Sequence, residues 1–95
     1  MDTQEEAGIG FAAFIISLAT TAAVHFGDIA DPATGQPAEP NVVAAGQMIE
    51  VIAMLQQKTR GNLTPEEAKL VEDLLYELRL RFVEVQQGQK RIIHP

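Results

Sequence analysis

Apolar and polar positions divide this chain into three helical stretches of different character. From Ala7 to Phe26 it runs for 20 residues without a charged side chain, bounded by Glu6 and Asp28. Val42, Ala45, Met48, Ile49, Ile52 and Leu55 then recur at helical spacing. So do Val71, Leu75, Leu78, Phe82 and Val85, in a stripe that Leu70 and Leu74 widen. The two later stretches carry one apolar stripe each, and the third has a charged outer side, as surface helices do. The first is apolar or small on every side.

Local signals predict where the helices start and stop. Thr3-Gln4-Glu5-Glu6 fits a capping box, so helix one is expected over about residues 4–26, with Gly27 as its stop. Residues 27–40 hold three prolines and two glycines and read as a linker. Asn41 caps helix two, expected to run to about Thr59. Gly61 suits a left-handed turn, Thr64 an N-cap, Pro65 the first helical position and Glu67 the partner in a second capping box. Helix three is expected over about 65–87, with Gly88 ending it and a tail over 88–95. So short a turn at 60–64 makes helices two and three an antiparallel hairpin. Lys69–Asp73 and Glu77–Arg81 are spaced as i,i+4 ion pairs on the wet side of helix three. The predicted fold is all-α, a single 95-residue domain with a three-helix protomer.

Helix one has two apolar faces. At about 100° per residue, Phe11, Phe14, Ile15, Leu18, Ala22 and Phe26 gather on one side. The bulky side suits the groove between helices two and three. Gly10, Ala13, Ser17, Thr20, Thr21 and Val24 gather on the other. A small face lets two helix backbones approach closely. A monomeric amphipathic helix normally turns charges outward, and none stands between Ala7 and Gly27. The expectation is a helical homo-oligomer, a dimer or dimer of dimers, joined through Gly10, Ala13, Ser17, Thr20 and Val24. Val51 and Met54, off the main stripe of helix two, extend the same contact. Helix one alone is marginal, because association costs roughly 4–15 kcal/mol.

Charge and composition narrow the function classes. The net charge is −6, and the first 57 residues hold seven acids and no base. Such a balance repels phosphate backbones. With 5% aromatic residues and no Trp, there is no stacking platform for single strands. Nucleic acid is therefore not an expected partner. Ala, Gly, Ser and Thr make up more than half of the apolar run, and no Trp, Tyr, Lys or Arg flanks it. These features oppose a membrane span. Asp2, Glu5 and Glu6 carry the wrong charge for a signal peptide, so the expected location is cytoplasmic.

Candidate chemistry is sparse. There is no Cys, which removes thiolate ligands and thiol nucleophiles. His25 lies at the end of helix one, where a helix C-terminus favours the protonated ring. Asp28 and Asp31 sit in the linker without a defined ligand loop. Ser17 and Thr20 have no base nearby within their helix. Gly35 and Gly61 belong to no phosphate-binding motif. Lys90, Arg91 and His94 fall in the tail. No catalytic, cofactor-binding or metal site is expected, and no cofactor.

Four segments occur together in order. They are Phe11-Ala-Ala-Phe-Ile-Ile-Ser-Leu-Ala19, Pro32-Ala-Thr-Gly35, Met54-Leu-Gln-Gln-Lys-Thr-Arg-Gly-Asn-Leu63 and Leu78-Arg-Leu-Arg-Phe-Val83. In these the chain resembles the bacterial family catalogued as domain of unknown function 1844. The resemblance implies a small helical bacterial protein and supplies no activity, substrate or catalytic residue. The leading expectation is a non-enzymatic structural or protein-interaction module that associates with itself and with a protein partner of unknown identity. A membrane-associated helical protein, and a small enzyme or ligand-binding protein, are the alternatives.

Overall fold

The computed structural model describes residues 10–37 and 39–93. The described residues form three helices, α1 (Phe11–Phe26), α2 (Val42–Lys58) and α3 (Pro65–Ile93), each packed on both others.

Helix α1 begins at Phe11; residues 4–9 of the expected helix lie outside the described residues. Gly10 has an extended backbone (φ −72°, ψ 158°) and stands as the N-cap without a side-chain cap bond. Gly10 loses more backbone freedom in a helix than other residues, and the helical backbone starts after it. The Thr3–Glu6 capping box lies outside the described residues. With 16 residues, α1 spans about 24 Å. Gly27 ends it at φ 86°, its N–H bonded to Val24 O at 2.9 Å, while the Asp28 N–H reaches Ala23 O at 3.0 Å. This paired arrangement satisfies two carbonyls that the helix end would leave open, and it requires the left-handed conformation glycine tolerates.

The connection to α2 is more ordered than its prolines suggest. Asp31 Oδ1 accepts from Ala33 N–H at 2.9 Å, and the Asp31 carbonyl accepts from Gly35 N–H at 2.7 Å. An antiparallel bridge joins Ala30 to Pro37. The Asn41 N–H then bonds His25 O at 2.7 Å, fixing the start of α2 beside the end of α1. Asn41 Oδ1 caps α2 through Ala44 N–H at 3.1 Å.

Thr59 closes α2, its Oγ1 donating to Leu55 O at 2.7 Å. Gly61 follows at φ 89°. The capping box of α3 forms as the spacing predicts. Glu67 N–H bonds Thr64 Oγ1 at 3.1 Å, and Thr64 N–H bonds Glu67 Oε1 at 2.9 Å.

Helix α3 continues through Gly88 to Ile93, against the expected end at Gln87. A glycine in a helix interior costs about 1 kcal/mol relative to Ala, but that penalty alone does not end a helix. Gly88 does not take a positive φ, and Gln86, Gln87, Gln89, Lys90 and Arg91 around it are good helix formers.

The core draws equally on the three helices. Ile15, Ala22 and Phe26 meet Ala45, Ile49 and Ile52, and both sets meet Val71, Leu75 and Leu78. Phe11, Leu18, Met48, Leu55, Leu74, Phe82 and Val85 pack against this centre in partial burial. Each fully buried Ile or Val contributes roughly 1.5–3 kcal/mol. The stripes on α2 and α3 are those the spacing gave. On α1 one bulky residue is misplaced: Phe14 is 43% exposed and faces outward. It sits at the border of the apolar arc, where a modest rotation of the helix decides which side it joins.

Arg81 also departs from expectation. It bonds Asp28 in fork geometry, Nη2 to Oδ1 at 2.5 Å and Nε to Oδ2 at 2.8 Å, and Nη1 reaches Glu84 at 3.2 Å. Glu77 is not its partner. Asp28 meets the guanidinium with both carboxylate oxygens, and such a bidentate pair is stronger than a single bond. Both partners stay partly exposed, so the pair adds at most about 1 kcal/mol. It ties the end of α1 to α3. Lys69 and Asp73 pair as predicted, at 3.0 Å.

Candidate functional site

The outward face of α1 is the surface that the sequence marks for contact. Ala13, Ser17 and Thr20 are exposed on it, Gly10 is exposed just before the helix, and Val24 is half-buried at its far end. Phe14 (43%) and Ile16 (48%) are exposed along its two edges. Ile16 escaped the face assignment, although its position about 100° from the buried Ile15 places it outside. No residue from Phe11 to Val24 carries a formal charge.

Two hydroxyls on this face, those of Ser17 and Thr21, are turned inward to their own helix. Ser17 Oγ donates to Phe14 O at 2.6 Å, and Thr21 Oγ1 donates to Ser17 O at 3.0 Å. A hydroxyl whose proton is already bonded loses less on leaving water than a free one. The face therefore behaves as less polar than its Ser and Thr content implies. Sequence spacing predicts its composition but not this hydrogen bonding.

The remaining candidates have structural partners. The carbonyl of His25 receives the Asn41 N–H, and its ring is half-buried. Asp28 is held by Arg81, and Asp31 forms the linker turn. Hydrogen bonds to Asp28 first, and then to Glu84, raise the Arg81 guanidinium above its ordinary range. A cation stabilised in this way contributes below its ordinary pKa and loses that contribution only at higher pH. Arg81 therefore adds no pH dependence near neutrality. Among the described residues, no three His, Cys, Asp or Glu side chains stand close enough to hold a metal ion. His94 lies outside the described residues.

Two depressions run along the groove between α2 and α3. One, of about 310 Å³, is lined by Gly46, Ile49, Glu50, Arg79, Phe82 and Val83. The second adjoins it, sharing Gly46, Glu50 and Phe82 and reaching Val43. Gly46 shapes the groove: a Cβ there would stand 3.0 Å from Phe82 Cε1. Sequence reading missed this feature, because a glycine inside a helix does not announce which residue crosses it.

Fold and surface define an all-α, three-helix unit, and none of its described helices is long and apolar enough to cross a membrane. The chain belongs to the family described as Domain of unknown function (DUF1844), which matches residues 8–84. No curated protein and no solved structure matches it.

Proposed function

We propose that this protein is a non-enzymatic structural or protein-interaction module that self-associates through α1 and acts in the cytoplasm. The observation that carries the reading is the outward face of α1, uncharged from Phe11 to Val24, with small residues at its centre and Phe14 and Ile16 exposed at its edges. Water-facing helices of monomers normally carry charges there. Small side chains at Ala13, Ser17 and Thr20 permit a short distance between two helix axes. The inward bonding of Ser17 and Thr21 lowers the cost of covering the face. Exposed Val51 and Met54 on α2 offer further apolar area.

Light scattering tests the reading directly. The chain weighs 10.3 kDa, and a mass of twice or four times that is expected at micromolar concentration. Ser17→Leu fills the close contact while favouring the helix. It should lower the mass with helical content unchanged. A wild-type mass of 10.3 kDa, or no change on substitution, would refute the proposal. Cell fractionation checks the cytoplasmic placement.

A further inference from the structure

We infer that the groove between α2 and α3 is a second self-association surface, occupied by the same groove of another copy of this chain. The inference does not rest on the role of α1, since no α1 residue lines the groove. Its floor is Gly46, Ile49 and Phe82, and Val43 (72% exposed) and Val83 (47% exposed) stand apolar in its walls.

Charge identifies the occupant. Glu50 is on the α2 wall and Arg79 on the α3 wall, both exposed. Among the described residues, neither forms an ion pair; those present are Lys69–Asp73, Arg81–Asp28 and Arg81–Glu84. A patch with one acid and one base on opposite sides of an apolar centre is complementary to itself under a two-fold rotation. Glu50 of one copy then meets Arg79 of the other, and the converse pair forms by symmetry. A purely acidic rim would instead call for a basic partner.

Charge reversal gives the test. In Ser17→Leu, which removes the α1 contact, the groove should still hold a dimer. Glu50→Arg or Arg79→Glu alone should weaken that dimer by about tenfold or more, reading as a 10.3 kDa species in light scattering. Glu50→Arg combined with Arg79→Glu restores both pairs and should restore the dimer. If Ser17→Leu loses helical circular dichroism, the same three charge variants are read in the otherwise unchanged chain, where each single reversal should halve the mass. Single reversals without effect, or a double reversal that fails to restore association, overturn the inference; the latter is also the outcome expected if a different protein fills the groove. Failure of the α1 reading is separate: it shows as a Ser17→Leu mass equal to wild type, with the charge reversals still effective.

Discussion

Replacing Gly61 by Ala isolates a single physical term. Gly61 sits at φ 89° in the turn between α2 and α3, and a Cβ built there meets nothing within 4 Å. Collision with neighbours therefore adds nothing, and the effect is backbone strain. An L-residue held in the left-handed region costs roughly 1–2 kcal/mol. Against this, Ala narrows the unfolded ensemble and returns about 0.4–1 kcal/mol. The mid-range balance is a loss of about 0.8 kcal/mol, and the largest is about 1.6 kcal/mol. For a chain of this size each kcal/mol shifts the melting midpoint by roughly 4–8 °C, so a fall of about 3–6 °C is expected at the mid-range loss. Thermal unfolding followed by circular dichroism measures it, with wild type and variant at equal protein concentration because association shifts the midpoint. The cap bonds around Thr59 and Thr64 hold the turn in place, which leaves little room to relax the strain. A midpoint equal to or above wild type would show that the turn can adopt a negative φ at no cost, and the reasoning would fail.

Gly88→Ala should act in the opposite direction, lengthening amide protection over residues 86–93 and gaining up to about 1 kcal/mol of local helix stability; reduced protection in hydrogen exchange would mean that Gly88 ends the helix after all. Ile52→Ala, at a side chain with no exposure, should lower unfolding stability by about 2–5 kcal/mol in urea titration, and Phe14→Ala, at a 43% exposed ring, should fall short of it. Equal losses would place Phe14 in the core.

The sequence by itself determined whatever depends on neighbours along the chain. The Thr64–Glu67 capping box, the Asn41 cap, the stop at Gly27 and the stripes on α2 and α3 are set within a turn or two of backbone. Residue type and spacing are enough to specify them. Recognition of the family rests on the same local segments. Local signals also mislead where they are weak: Gly88 suggests an end although nothing there imposes a positive φ, and the uncharged run suggests one helix through Gly10, whose backbone is extended. Tertiary structure alone decided the rest. The rotation of α1 on the hairpin put Ile15 inside and Phe14 outside, a choice a helical wheel leaves open at the border of the arc. Docking brought Asp28 to Arg81, 53 residues away, in preference to the neighbour Glu77. It also laid Phe82 across Gly46 and so opened the groove between α2 and α3. Such pairings are global because each follows from how three helices settle together, and no short segment of the chain contains both partners.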